Sequence, residues 1–285
     1  MAANALPAGS LALPDLRIVA VADLLLHERH DLQRSEPLAV RLETEQVLRN
    51  PPIVAAIGNG DSRYVVLDGA NRATAFGRMG LPHIVVQVVD YGAADLVLDC
   101  WHHLIVGFAR EAFADRLAAL PGLIVEPTDL AHARAELARR EALAFVAYPG
   151  HGCCTIRGAG TLHERVAQLN DMVDMYRAGG RIFRVATDRL EALTPHYDDV
   201  TALIVFARHD PSEIVELARI GAPLPAGITR HVIQRRALHL EMPVALLREP
   251  GSLASKNAWL AEWVKRKVEH KQVRFYQEST FMFDE

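Results

Sequence analysis

Val65-Val66-Leu67-Asp68-Gly69-Ala70-Asn71-Arg72-Ala73-Thr74-Ala75-Phe76 is the stretch whose reading decides the fold. A β-branched apolar run ends in Asp-Gly, and a polar pair then opens a segment with helical spacing. That order predicts a strand, a tight turn and a helix. Gly69 lets the backbone turn closely, and the first amides of the helix, which have no intrahelical partner, attract phosphate. Asp68 sits where a strand delivers a carboxylate beside that phosphate, a natural place to hold a divalent cation. Arg72, one turn into the helix, adds a planar positive fork. The same residues also describe an ordinary strand-turn-helix with an Asp cap and a surface Arg, and short glycine motifs do not separate the two.

The flanking sequence supplies the order of elements. Leu16 to Leu26 reads as a strand and its exit, leaving Glu28 at the rim of a buried run. Ser35-Glu36-Pro37 opens a helix to about Arg49, which Pro51-Pro52 stops. Pro52 to Ile57 is a strand, and Gly58-Asn59-Gly60-Asp61 a turn. Gly69 to Met79 is helical and Gly80 closes it. Ile84 to Val89 and Ala94 to Trp101 are strands, with a domain boundary near Tyr91-Gly92.

Beyond it, Phe108 to Leu120, Leu130 to Arg140, Leu162 to Arg177 and Ser252 to Lys271 carry helical periodicity. Ala142 to Tyr148, Cys153 to Arg157, Ile182 to Ala186 and Ala202 to Phe206 read as strands, as do the last residues. Ala218 to Gly227 is a Gly- and Pro-rich loop of the kind that borders pockets. The expected class is α/β, with an open mixed sheet or two joined lobes, divided as 1–92 and 93–285.

With 285 residues, half of them hydrophobic, the chain can bury a full core. A net charge of −4 argues against a general nucleic-acid binder. No apolar run approaches the roughly 20 residues that span a bilayer. Met1-Ala2-Ala3-Asn4-Ala5 lacks the layout of a signal peptide, and three cysteines, two adjacent, give no disulfide framework. The expectation is a cytoplasmic protein.

Asp68-Gly69-Ala70-Asn71-Arg72 resembles the Asp-Gly-X-X-Arg signature of the ParB/sulfiredoxin-like superfamily, over roughly residues 15 to 92. That superfamily includes partition proteins that bind nucleotide, sulfiredoxins, and free serine kinases that make O-phosphoserine. Glu28, Trp101, the segment Gly227-Ile228-Thr229-Arg230-His231 and the tail from Val273-Arg274-Phe275-Tyr276 to Phe281-Met282-Phe283-Asp284-Glu285 are similar to the kinases. The family often has His in the pair where this chain has Ala70-Asn71.

The resemblance implies transfer of a phosphoryl group from ATP or ADP, with Mg²⁺, to the hydroxyl of free L-serine. Under it, Asp68, Gly69, Ala70, Asn71 and Arg72 hold the nucleotide, and Trp101, Thr229 and His231 hold the amino acid. Glu28 acts as base and Asp68 as the metal partner, although the two carboxylates could exchange roles. In an extended segment Thr229 and His231 share one face while Arg230 points away, toward solvent or an acidic neighbour. His27 and His30, on a strand, face opposite ways and do not suit a metal pair; His102 and His103 read as structural. The competing function is a ParB-like, nucleotide-dependent DNA-binding or transcriptional regulator without kinase chemistry, which a helix-turn-helix and a basic surface would favour.

Overall fold

The computed structural model describes residues 13–30, 32–150 and 152–276. The first part runs β1 (Asp15–Ala20), β2 (Leu24–Leu26), α1 (Leu32–Glu45), β3 (Val47–Leu48), β4 (Ile53–Gly58), β5 (Asp61–Asp68), α2 (Ala70–Arg78) and β6 (His83–Val89). It continues through β7 (Leu96–Cys100), β8 (His102–Val106), α3 (Arg110–Ala118), β9 (Leu123–Pro127), α4 (Leu130–Ala138), β10 (Ala144–Ala147), β11 (Cys153–Gly158), α5 (Leu162–Arg177) and β12 (Arg181–Val185). Last come α6 (Leu190–Leu193), β13 (Val200–Phe206), α7 (Pro211–Ile220), β14 (Thr229–Ile233), β15 (Met242–Pro243), α8 (Val244–Arg248) and α9 (Leu253–Glu269).

Two sheets organise these elements. The first is mixed, in the order β1-β6-β4-β5-β2, with β2 parallel to β5 and β4 parallel to β6. The second is antiparallel, in the order β12-β8-β13-β10-β11-β9. Burial on both faces explains the apolar run Val65-Val66-Leu67 near the end of β5. Val66 packs with Ile18, Phe76 and Val85, whereas its neighbours Val65 and Leu67 join Ile105 and Ile204 of the second sheet and Tyr176 of α5. In β10 the same alternation sends Val146 to that shared core and Phe145 to the far side with Leu104 and Leu203.

The expected boundary at Tyr91-Gly92 therefore does not separate two cores, because the middle one draws on both sheets. The chain also returns: Met242, Val244, Leu247 and Leu260 pack into the first core, and β15 pairs with β3. Residues from about 240 onward thus belong with the first sheet, not with the segment grouped with them from sequence.

Four local expectations change. The first helix starts at Leu32, ends at Glu45 and has Pro37 inside it. His102–Val106 is a strand that the sequence reading missed, its His-His start masking the apolar run. Pro211–Ile220 is a helix that the loop reading clipped, although Asp210 and Glu213 form a capping box around Pro211. Val273 to Tyr276 is irregular rather than a strand, and Phe281 to Glu285 lie outside the described residues. Among the described residues no helix is long and apolar enough to cross a membrane.

Candidate active site

A cleft of about 1000 Å³ is lined by the residues after β2, the end of β5, the start of α2, one side of α1, and β14. Parallel pairing builds it. Leu24, Leu25 and Leu26 lie opposite Tyr64, Val65 and Val66, so both strands release the chain at the same end. Glu28 and Asp68 each follow two residues later, and adjacent strands are about 4.8 Å apart. His27 and Arg29 then clip to Leu224 through backbone hydrogen bonds of 2.7 Å each, which fixes the exit of β2.

Glu28 is held by three donors from one segment. The Gly227 amide donates to Oε2 at 3.0 Å, and the Thr229 amide and hydroxyl donate to Oε1 at 2.6 and 2.5 Å. Gly227 takes a left-handed φ of 83°, which strains any other residue, and a Cβ there would fall 2.0 Å from the Arg184 guanidinium and displace it. His103 lies beneath it, bound through Nε2 to the Gly227 carbonyl at 3.2 Å and through Nδ1 to the Tyr176 hydroxyl at 2.6 Å. Burial pushes the His103 pKa down to about 3, which keeps the ring neutral and agrees with the structural role read from sequence.

Asp68 is caught between two arginines. Arg72 reaches it at 3.2 Å, and Arg236 makes a very short contact with the same oxygen. Burial works to raise the Asp68 pKa, but the Arg72 and Arg236 charges outweigh it and hold the carboxyl below its ordinary value. Arg72 also donates to the carbonyls of Asn50 and Pro51 at 2.8 and 3.1 Å, so its fork braces the turn that carries Asp68. Gly69 follows with φ 94°, its α-hydrogen side set against Pro52, and opens α2 with no side-chain cap. The first turn of that helix, Ala70 and Asn71, lines the cleft.

On the opposite wall, β14 pairs with β7, placing Thr229 opposite Cys100 and His231 opposite Leu98. Thr229 and His231 do share a face. His231 bonds the Tyr91 hydroxyl at 2.8 Å and packs edge-on to His27, 5.3 Å between ring centres. Burial, then the neighbouring His27, lowers its pKa to about 3. Arg230 points the other way, over the Trp101 ring at 4.5 Å and 3.7 Å from Asp99, the acidic neighbour expected.

Seven arginines (29, 41, 49, 72, 184, 230 and 236) line the cleft against three carboxylates, Glu28, Glu45 and Asp68. In a chain of net charge −4 this is a local reversal of sign, suited to a polyanion. Leu38, Leu42, Val47 and Leu48 give it one apolar wall. Among the described residues no group of three or more His, Cys, Asp or Glu side chains could hold a metal alone. The donor set is compatible with magnesium in its usual mode, one or two carboxylates with phosphate oxygens completing the shell, and Asp68 is a carboxylate that could serve.

Every residue singled out from sequence, Glu28, Asp68, Gly69, Ala70, Asn71, Arg72, Trp101, Thr229 and His231, lines this one cleft. Reasoning from sequence passed over Arg236 and Tyr91, and weighed His27 only as a metal ligand, not as a partner of Thr229. Arg236 lies in an irregular segment with no periodic signal, and Tyr91 was taken for a boundary. His27 could have been noticed as the residue that continues a buried strand into Glu28. The three cysteines, Cys100, Cys153 and Cys154, are free and buried.

No family model matches the chain. It is 24% identical over 246 residues, covering 86% of this chain and 88% of the other, to the ATP-dependent L-serine kinase SbnI of Staphylococcus aureus (strain NCTC 8325 / PS 47). Solved structures share its fold, two of them as follows. A free serine kinase mutant in complex with ADP superposes with a TM-score of 0.70 at 17% identity, covering 83% of this chain and 95% of that one. SbnI with a C-terminal truncation, from Staphylococcus aureus, gives 0.65 at 22% identity, covering 90% and 96%.

Proposed function

We propose that this protein is a phosphotransferase that moves the terminal phosphoryl group of a nucleotide to the hydroxyl of free L-serine, giving O-phospho-L-serine. The observation that carries the reading is the parallel exit of β2 and β5, which brings Glu28 and Asp68 into one arginine-rich cleft. The likeness to an ATP-dependent L-serine kinase supports ATP as donor and serine as acceptor.

In this reading the nucleotide base rests on the apolar wall of Leu38, Leu42, Val47 and Leu48, and the phosphates run toward Gly69 and the first turn of α2. Magnesium, when bound, neutralises the phosphate oxygens and draws charge off the transferred group. Asp68 would hold that ion once Arg236 released the carboxylate, and the exposed Arg236 side chain would then be free to face the phosphates. Trp101, Thr229 and His231 position the amino acid. The Glu28 carboxylate takes the proton of the serine hydroxyl as it attacks. Most of the rate comes from alignment and charge neutralisation, since phosphoryl transfer asks little covalent chemistry of a protein. We propose a cytoplasmic place in amino-acid metabolism for this activity.

The test is to incubate the protein with Mg²⁺, ATP or ADP in parallel, and a mixture of free amino acids, and to identify products by mass spectrometry. Phosphoserine is the expected product. Phosphorylation of a different acceptor, or none with either nucleotide, rejects the reading.

A further inference from the structure

The hydrogen bonds around Thr229 do not balance unless the site carries an extra proton. His27, 3% exposed, lies with Nδ1 2.6 Å from the Val66 carbonyl oxygen. A carbonyl only accepts, so Nδ1 is the protonated nitrogen, and in a neutral ring Nε2 is then an acceptor. Nε2 lies 2.8 Å from the Thr229 hydroxyl, and that hydroxyl lies 2.5 Å from Glu28 Oε1. A hydroxyl has one hydrogen. With a neutral imidazole on one side and an ionised carboxylate on the other, two acceptors would compete for it, leaving one buried lone-pair contact unsatisfied.

We propose that His27, Thr229 and Glu28 form a proton-sharing chain that holds one proton more than a neutral imidazole with an ionised carboxylate, Thr229 being the relay. This rests on the serine-kinase reading for its catalytic meaning but not for its geometry. The chain has two forms. In one, Glu28 is a carboxylic acid donating to Thr229 Oγ1, and Thr229 donates to Nε2. In the other, Thr229 donates to an ionised Glu28, and Nε2–H donates to Thr229. They interconvert when the Glu28 proton passes to Oγ1 as the Oγ1 proton passes to Nε2, which separates an imidazolium from a carboxylate but leaves the net charge unchanged.

The second form is the one that can act as a base. His27 stores the proton while Glu28 is free to take another from the serine hydroxyl, and the imidazolium offsets the carboxylate charge. Burial favours the first form, because it lowers the His27 pKa, while the Glu28 charge works against that. The other titratable groups around the chain are Asp68 at the end of β5, His209 before α7, His231 on β14 and the Cys100 thiol on β7. His27 is therefore a positioning residue: it acts through Thr229 on Glu28.

The direct experiment uses the full chain with ¹⁵N-labelled histidine and ¹³C-labelled glutamate carboxyls, observed by NMR at neutral pH without substrates. The expected result is one proton on the pair beyond that on His27 Nδ1, seen as a His27 imidazolium or a Glu28 carboxylic acid, with both signals moving in a single shared titration that Thr229→Val splits in two. A neutral His27 beside an ionised Glu28 in the unmodified protein overturns the proposal. Kinetics add a second arm. His27→Gln should lower kcat at least tenfold with both KM values within twofold and change the pH profile of kcat; an unchanged kcat and profile also overturns it. Phosphoserine formation without the shared proton defeats the chain alone, and the shared proton without phosphoserine defeats the function alone.

Discussion

Glu28 and Asp68 leave neighbouring parallel strands at the same end, each two residues beyond the Leu26–Val66 pair. They differ in what holds them. Glu28 meets hydroxyl and amide donors, whereas Asp68 meets two guanidiniums. Replacing Glu28 by Gln keeps the shape but sets an NH₂ against a backbone N–H. We expect kcat to fall by about 10²–10⁴, the usual worth of a positioned base, with nucleotide KM little changed. Initial-rate kinetics over both substrates check this.

Asp68→Asn should act on the nucleotide instead. It removes the proposed metal contact and weakens the ion pairs that Arg72 and Arg236 make with this side chain, so the magnesium dependence of nucleotide affinity should flatten. Calorimetric titration of ADP with and without Mg²⁺ reads this directly. Because the folded Asp68 pKa is lowered, its charge pairing is present above the ordinary carboxylate value, about 3.9, and fades only as pH falls through the lower folded value. ADP affinity at pH 5 should therefore match that at pH 7 as far as this group is concerned.

The local parts of this site were legible in sequence because they rest on short-range chemistry. A strand ending in Asp-Gly before a helix declares itself within a dozen residues, and alternation alone put Thr229 and His231 on one face. The parts that stayed hidden depend on distant chain. Nothing near Arg236 says that it will meet Asp68, 168 residues away. The run Val65 to Leu67 showed burial on both faces but not that its two faces feed different cores. The return of Met242 to Leu260 to the first sheet was invisible for the same reason: an amphipathic helix shows which side it buries, not against what.

Two glycines carry backbone demands that a methyl group violates. Gly69→Ala faces a left-handed φ of 94° and Pro52 Cα at 3.0 Å, so we expect a loss of about 1–2 kcal/mol in stability and weaker nucleotide binding. Gly227→Ala adds a collision with Arg184 and shifts the amide that holds Glu28, so kcat should fall as well. Urea denaturation alongside steady-state kinetics separates the two effects.

Acid should destabilise the fold early. His103 and His231 each have a folded pKa lowered to about 3, so below the unfolded value of about 6.5 the unfolded chain binds protons that the folded chain refuses. Stability is flat above about pH 6.5 and falls toward pH 3, by up to about 1.4 kcal/mol per pH unit for each ring. Urea midpoints at pH 7, 6 and 5 measure the slope, and His231→Phe should make it shallower.

The most direct measurement is a structure of the protein with ADP, Mg²⁺ and serine bound. The account predicts the terminal phosphate at Gly69 and the first turn of α2, the metal on Asp68, and the serine hydroxyl within hydrogen-bonding reach of Glu28. Nucleotide bound away from the Asp68 turn, or serine whose hydroxyl faces away from Glu28, contradicts it.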